Sequence, residues 1–183
     1  MQVTETEIAG VFVFRPQPHH DDRGFFTRTF DAAIAREHGI ELGPEAQDSQ
    51  SRSKLGVVRG LHGRSGRGEA KLVRCAHGAV LDTVIDIRPD SPTFGRRCEF
   101  RLDDTQFAHL YVPPGMLHGF QALSGTADVC YRIDRPHDPS EDLAVRYDDP
   151  DLAIAWPLPV SQVSARDAQA PSWRELLAGL GRG

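Results

Sequence analysis

The sequence predicts an all-β fold in which one antiparallel sandwich or barrel carries short helices at its periphery. From Gly56 to Tyr131, short runs of β-branched and aromatic residues alternate with turn residues at intervals of about 8 to 12 positions, a spacing typical of antiparallel β domains. Helix signals are confined to two stretches outside this region. A chain of 183 residues is long enough for one domain with a sizeable hydrophobic core.

Candidate strands are the segments rich in β-branched and aromatic residues, separated by glycine, proline, serine and aspartate. They are Val57–Val58, Lys71–Cys75, Val80–Ile87, Arg97–Leu102, His109–Val112, Gly119–Leu123 and Ala127–Arg132. Two helices are expected outside this core. Asp31–Gly39 begins with an aspartate cap and ends with glycine, and Ser172–Gly179 has a serine cap followed three residues later by glutamate.

Two aspartates interrupt the apolar strand Val80–Ile87. Side chains alternate faces along a strand, so Asp82 and Asp86 lie on the same face as Val84. Buried charges need partners. Asp86 can pair with a nearby arginine at the rim, whereas Asp82, in mid-strand, either lines a polar cavity or has a structural partner.

Composition restricts the classes of partner. The formal net charge of −5 and the lack of a long basic run argue against a nucleic-acid surface. No stretch approaches about 18 uninterrupted apolar residues, and the first residues do not resemble a signal peptide, so we expect a soluble, cytoplasmic protein that does not bind a membrane. The cysteine count is odd, and Cys75, Cys98 and Cys130 are expected to be free thiols.

Arg59-Gly60-Leu61-His62, followed nine residues later by Lys71, suggests enolisation chemistry. Imidazole titrates near neutral pH and can remove a proton from carbon, while a nearby cation stabilises the negative charge that develops on an adjacent oxygen. Arg23, Arg59 and Lys71 facing one cavity would also suit a diphosphate, since arginine presents a planar fork of donors to phosphate oxygens. The alternative is a set of solvated surface cations.

Pro113-x-Gly115-x-x-His118 matches the second half of the pattern of cupin barrels. Cupins that bind metal carry two histidines and a glutamate upstream, where this chain offers only His62 and, from a loop, Glu69. A catalytic metal normally has three protein ligands, so we expect a cavity without metal. A metal-dependent cupin dioxygenase or isomerase remains an alternative, as does a purely structural role for His118.

Several segments, in order and close to their usual spacing, carry a resemblance that covers nearly the whole chain. They are Asp22–Phe26, Gln47–Ser53, Gly56–His62, Lys71–Arg74, Asp86–Arg88, Ser91–Gly95, Pro114–Phe120, and Asp148–Leu152 with Trp156–Pro157. Together they resemble the dTDP-4-dehydrorhamnose 3,5-epimerase family. The resemblance implies a cupin-type β barrel or jelly roll that is active as a homodimer on a dTDP-4-keto-6-deoxyhexose, with no metal or organic cofactor.

The resemblance also assigns catalytic roles. His62 matches the base, Asp167 the carboxylate that orients it, Lys71 the donor to the enolate oxygen, and Tyr131 the acid that reprotonates carbon from the opposite face. These roles are chemically consistent, because a carboxylate on one ring nitrogen sets the tautomer and raises the basicity of the other.

Substrate-binding residues follow in the same way. Arg23, Phe26 and Arg59 match the nucleotide site, and the Arg-Gly-x-Phe segment is expected to reach the neighbouring subunit. Gln47, Ser51 and His118 match residues that line the pocket, and His137 stands where the family has a second pocket tyrosine. Asp82 is added to the predicted pocket because of its position in mid-strand, not through the resemblance. One domain, 1–183, is expected, with N-terminal elements over 1–55 partly exchanged across the dimer, a barrel core over 56–135 and C-terminal elements over 136–183.

The chain departs from the family pattern at the pocket. Gly63-Arg64 follows His62 where Tyr-Gln is usual, Arg28 stands for glutamate, Ser49 for asparagine and His137 for a second tyrosine. Some relatives invert a single carbon, so we expect inversion at carbon 3 and leave inversion at carbon 5 open. A non-catalytic sugar-nucleotide binding protein is a further alternative.

Overall fold

Two antiparallel sheets form the body of the molecule in a computed structural model that describes residues 1–181. The strands are β1 (Gln2–Glu5), β2 (Phe12–Arg15), β3 (His19–Asp21), β4 (Gly24–Phe26), β5 (Gln47–Lys54), β6 (Val58–Arg64), β7 (Lys71–His77), β8 (Ala79–Asp86), β9 (Arg97–Asp103), β10 (His109–Val112), β11 (Met116–Ala122), β12 (Thr126–Ile133) and β13 (Asp142–Ala144). The helices are α1 (Ala32–Glu37), α2 (Ala165–Ala168) and α3 (Trp173–Gly179), with a 3₁₀ turn at Pro139–Glu141.

The six-stranded sheet has the order β1-β2-β10-β7-β12-β5 and the five-stranded sheet the order β13-β6-β11-β8-β9. Strands β3 and β4 form a separate hairpin. This arrangement, together with the structural relatives described below, confirms the predicted all-β cupin-type fold.

Alternating side chains divide the apolar residues among three clusters. One cluster joins the two sheets and includes Val73, Val84 and Phe120. Residues of the opposite parity on the six-stranded sheet, such as Leu72, pack with Ala35 of α1. The third cluster covers the outer face of the five-stranded sheet with α3; its buried members are Leu61, Ile85, Ile87, Leu117, Val145 and Leu176. The period-two pattern therefore buries both faces of each sheet.

Both predicted helices are confirmed, and each is somewhat shorter than the segment predicted for it. Asp31 accepts hydrogen bonds from the amides of Ala33 and Ile34 at the start of α1. Ser172 and Glu175 form a complete capping box at the start of α3. Helix α2 was not predicted, because its four residues are too few to show a helical period.

Every predicted strand is present, but several bounds differ and six strands were not predicted. The strand predicted at Val57–Val58 extends as β6 to Arg64, and the one at Gly119–Leu123 begins at Met116. The missed strands are β1 to β5 and β13. Strand β5 reads Gln-Asp-Ser-Gln-Ser-Arg-Ser-Lys. It lacks an apolar alternation, and its backbone pairs with β12 at the sheet edge.

Two smaller expectations are also answered by the structure. Cys75, Cys98 and Cys130 are free, and Asp86 pairs with Arg88, with 2.6 Å between Oδ2 and Nη2. Among the described residues, no helix has both the length and the apolar character needed to cross a membrane.

Candidate active site

A cavity of about 670 Å³ opens between the two sheets near β6, β7, β11 and β12. Strand β5 and the segment around α2 complete its wall. The charged and polar side chains at the wall include Ser51, Arg52, Lys54, Arg59, His62, Lys71, His118, Tyr131, Arg166 and Asp167. A volume of this size suits a ligand of several hundred daltons.

His62 and Asp167 form a hydrogen-bonded pair in this cavity. The distance from Nε2 of His62 to Oδ1 of Asp167 is 2.7 Å. A carboxylate only accepts hydrogen bonds, so Nε2 carries the hydrogen and the lone pair of Nδ1 is left as the basic site. The Asp167 side chain is 5% exposed, whereas that of His62 is 36% exposed. The imidazole is therefore the member of the pair that a ligand can reach.

Asp167 reaches His62 because the chain before α2 runs along the start of β6. The amide of Val58 donates to the carbonyl of Gln162, and the two segments form a parallel bridge. The Asp167 amide then donates to Oγ of Ser164, the cap of α2. This local geometry brings together two residues that are 105 positions apart in sequence.

The electrostatics keep Asp167 ionised. Burial by itself raises the pKa of this carboxyl, but the hydrogen bond and charge of His62 and the amide of Gly60 together hold the pKa below its usual range. The Gly60 amide lies 3.3 Å from Oδ2 of Asp167. Asp167 is therefore suited to orient His62 and to stabilise its protonated form.

Lys71 lies next to His118 at the inner end of the cavity. Nζ of Lys71 is 3.2 Å from Nε2 of His118. The other ring nitrogen, Nδ1, lies 3.6 Å from Oδ1 of the fully buried Asp82. Burial and the charge of Lys71 lower the pKa of His118. A neutral His118 that accepts a hydrogen bond from Lys71 carries its own proton on Nδ1, facing Asp82.

Tyr131 contributes a phenol on the six-stranded sheet. Its hydroxyl lies 3.4 Å from Oγ of Ser51, and its ring packs edge-on against His118 with centroids 6.3 Å apart. Burial raises the pKa of Tyr131, with only a partial opposing effect from Ser51. The phenol therefore stays protonated near neutral pH and is a proton donor.

The outer part of the cavity is basic. Nε of Arg59 donates to Oγ of Ser53 at 2.9 Å, and Nη2 donates to the carbonyl of Arg52 at 3.1 Å. These bonds hold the guanidinium at the wall, and Lys54 and Arg166 lie at the same cavity. Sequence reasoning missed Lys54 and Arg166, which carry no signal apart from their charge.

Four predicted binding residues lie outside this wall. Arg23 and Phe26 lie on the exposed β3–β4 hairpin, and Gln47 lies at the exposed start of β5. His137 contacts Nη2 of Arg64 through Nδ1 and lies in an outer cleft. In a single chain His137 is therefore absent from the wall of this cavity, and a role in the pocket stays a prediction.

Asp82, the fifth predicted binding residue outside the wall, is buried behind His118 and not exposed on the surface. Its side chain is 0% exposed, and its Oδ1 lies 3.6 Å from Nδ1 of the cavity residue His118. The metal alternative required Glu69 as a ligand, but the Glu69 carboxylate is paired with Arg64 and Lys71. Residues 1–181 contain no group of three or more histidine, cysteine, aspartate and glutamate side chains with metal-binding geometry.

Comparisons with known proteins agree on one family. The sequence pattern of the dTDP-4-dehydrorhamnose 3,5-epimerase family matches residues 5–175. The dTDP-4-dehydrorhamnose 3,5-epimerase of Escherichia coli K12 is 40% identical over 159 residues, which cover 86% of this chain and 85% of the relative.

Solved structures are similar over almost the full chain. A 4-keto-6-deoxy sugar epimerase from the novobiocin biosynthetic gene cluster of Streptomyces spheroides has a TM-score of 0.92 and 37% identity, covering 99% of this chain and 91% of its own. A 3'-monoepimerase from Streptomyces bikiniensis in complex with dTDP-quinovose has a TM-score of 0.86 and 32% identity. The match covers 96% of this chain and 89% of the monoepimerase chain.

Proposed function

The chain belongs to the dTDP-4-dehydrorhamnose 3,5-epimerase family, and from this premise we propose that it is an isomerase that inverts carbon 3 of a dTDP-linked 4-keto-6-deoxyhexose. The observation that carries the proposal is the His62–Asp167 pair, 2.7 Å apart, in one cavity with Lys71 and Tyr131. A base, an orienting carboxylate, a cation and a neutral acid are the groups that an epimerisation through an enolate requires.

The reaction begins with proton abstraction next to the ketone. The ketone at carbon 4 acidifies the hydrogen on carbon 3, and Nδ1 of His62 takes that proton as the carbon–hydrogen bond breaks. The electron pair moves onto the ketone oxygen, where an N–H of Lys71 stabilises it. Asp167 stabilises the imidazolium that results.

Reprotonation from the opposite face completes the inversion. The O–H of Tyr131 gives its proton to carbon 3 as the enolate returns to the ketone. The phenolate then regains a proton from solvent and the His62 imidazolium releases its proton to solvent, which restores both groups. The raised pKa of Tyr131 supports this role, because its phenol is protonated before the step. No redox cofactor enters this balance, since no electron leaves the substrate.

The basic outer wall supports a nucleotide diphosphate as the part of the substrate that anchors it. Arg59 and Lys54 contribute cations there, while Arg52 and Arg166 line the same wall and are paired with Asp128 and Asp142. Guanidinium groups match phosphate oxygens geometrically. We assign the sugar to the inner end, beside His62 and Lys71.

A homodimer in which each site uses both chains would explain the exposed hairpin. Phe25 and Phe26 are 55% and 72% exposed, and Arg23 beside them has an exposed guanidinium. We propose that β3 and β4 of one chain reach the cavity of the other, so that Arg23 and Phe26 complete the nucleotide site. With this assignment residues 1–55 are partly exchanged across the dimer, through β3 and β4, within a single domain.

The proposal is tested by incubating the protein with dTDP-4-keto-6-deoxyglucose in heavy water. Deuterium at carbon 3 alone supports a 3-epimerase, and deuterium at both carbons makes the protein a 3,5-epimerase. Deuterium at neither carbon would contradict the proposal that the protein is an epimerase. Elemental analysis of the active protein checks whether exchange needs a metal.

His62→Ala is expected to abolish exchange, because the base is removed. His77→Ala is the matched control, since His77 pairs with Asp104 on the surface and lies outside the cavity wall. Exchange at the wild-type rate in His62→Ala would remove His62 from the role of base.

A further inference from the structure

A buried row of charges lies behind Lys71. Oε1 of Glu69 is 2.9 Å from Nζ of Lys71, and Oε2 of Glu69 is 2.5 Å from Nε of Arg64. The side chains of Glu69 and Arg64 are only 6% and 5% exposed. Neither belongs to the cavity wall formed by the described residues, so neither is placed to contact a ligand there directly.

The contacts of Lys71 leave one of its three N–H donors free. An ammonium group has three N–H donors and no acceptor. One N–H points to Glu69 and another to Nε2 of His118, at 2.9 and 3.2 Å. The third N–H is left for the cavity, whose wall includes Lys71.

Glu69 is itself held in place. Arg64 donates to it, contacts the carbonyl of Asp138, and lies 3.1 Å from Oδ1 of Asp142. Burial raises the pKa of Glu69, but the charges and hydrogen bonds of Lys71 and Arg64 outweigh burial and keep the pKa below its ordinary value. The carboxylate is therefore charged and its two oxygens have different, specific partners.

The geometry points to Glu69, held by Arg64, as a positioning residue that directs one N–H of Lys71 toward the ketone oxygen of the substrate. This inference rests on the proposed function. An ammonium at the end of four methylenes has many rotamers, and two anchors reduce them to the orientation that stabilises the enolate. Positional errors of about 1 Å can lower a rate about 100-fold.

The test compares Glu69→Ala, which removes the anchor, with Glu69→Gln, which keeps an acceptor oxygen of the same reach. We expect Glu69→Ala to lower kcat for deuterium exchange about 10- to 100-fold and to leave KM and the affinity for dTDP within about twofold. Glu69→Gln should recover most of the lost kcat. A loss of dTDP affinity that parallels the loss of kcat would overturn the inference in favour of a general structural role.

Glu141→Gln is the matched control. Glu141 also pairs with an arginine, Arg135, at 2.6 Å, and it lies in the neighbouring loop without contacting Lys71. Its kcat should equal that of the wild type. Wild-type kcat in Glu69→Ala would overturn the inference.

A second variant covers the case in which Glu69→Ala leaves Arg64 buried without its partner and does not fold. Arg64→Met combined with Glu69→Met removes both charges at once, which proteins tolerate better than a single unpaired charge. The low kcat with unchanged KM should reappear there, and wild-type kcat would again overturn the inference. Exchange by the wild-type protein is measured first, so failure of the proposed function is seen before any variant is compared.

Discussion

At the scale of residues, one hydrogen bond determines which nitrogen of His62 is basic. Asp167 occupies Nε2, so in the proposed reaction Nδ1 is the nitrogen that takes the proton from the substrate. In the same proposal, Lys71 supplies the positive charge that stabilises the enolate and Tyr131 supplies the proton that returns to carbon. Each role depends on protonation states that the surroundings set, namely the low pKa of Asp167 and the high pKa of Tyr131.

Asp167→Asn should lower kcat about 10- to 100-fold or more. The amide can stabilise the imidazolium only weakly, and it can orient His62 in the wrong tautomer. Deuterium incorporation at carbon 3 under saturating substrate measures the effect, with dTDP affinity expected to stay within about twofold. Retention of full kcat would show that His62 does not need this partner.

His109 is expected to lower the free energy of unfolding as the pH becomes acidic. The residue is buried, 3% exposed, and burial with a smaller effect from Arg74 lowers its pKa to about 4. Its pKa when unfolded is about 6.5, so between these values the unfolded chain binds the extra proton and stability falls as pH falls. The loss reaches about 3 kcal/mol by about pH 4.

His109→Phe should remove most of this pH dependence. Urea unfolding at several pH values between about 7 and about 4 measures the slope for both proteins. The carboxyls of Asp86 and Asp103, with pKa values lowered to about 2, lose their stabilising effect only below about pH 4, so they do not obscure this window. An equal slope in both proteins would contradict the assignment.

At the scale of elements, the close approach of β6 and β11 brings the catalytic strand into position. His62 and His118 are directly paired across these strands. Gly60 has φ +124°, and a Cβ atom there would lie 2.5 Å from Cα of Gly119. The Gly60 amide also donates to Asp167, so the same glycine serves both the strand pairing and the catalytic pair.

Gly60→Ala should therefore destabilise the fold by about 2 to 4 kcal/mol, because backbone atoms cannot move aside as a flexible side chain can. Thermal unfolding measures the loss, and exchange activity should fall with it. Gly125→Ala is the control, since no heavy atom outside the adjoining residues lies within 4 Å of the position that its Cβ would take. Equal melting temperatures for the two variants would contradict the argument.

At the scale of the whole molecule, residues 1–55 present surfaces suited to a second copy of the chain. The β3–β4 hairpin exposes aromatic rings, and β5 ends the order of the six-stranded sheet. An edge strand of this kind can pair with another chain. These features support the proposed homodimer.

Phe26→Asp should weaken the dimer and lower activity together, because a charge disfavours burial of the hairpin against a partner. Light scattering after gel filtration gives the mass, and exchange assays give the activity. Asp90→Ala, in an exposed turn, should change neither. A fully active monomer would contradict the shared site.

The sequence by itself determined the β core, both capped helices and the family. Apolar alternation identified strands such as β8, and local capping chemistry identified α1 and α3, since both signals are contained within a few neighbouring residues. The pairing of His62 with Asp167 was assigned only through the family resemblance. Polar β5 and four-residue α2 carried no local period, and the sequence analysis missed them.

Only the tertiary structure decided which charges meet. Glu69 was considered only as a ligand in the metal alternative, and His137 was predicted to line the pocket. Arg64 pairs with the first and contacts the second in an outer cleft. The physical reason is that a buried charge is stabilised by whichever opposite charge the fold brings within hydrogen-bond distance. That distance depends on how β6, β7 and the loops beside them pack, and no local pattern of residues encodes it.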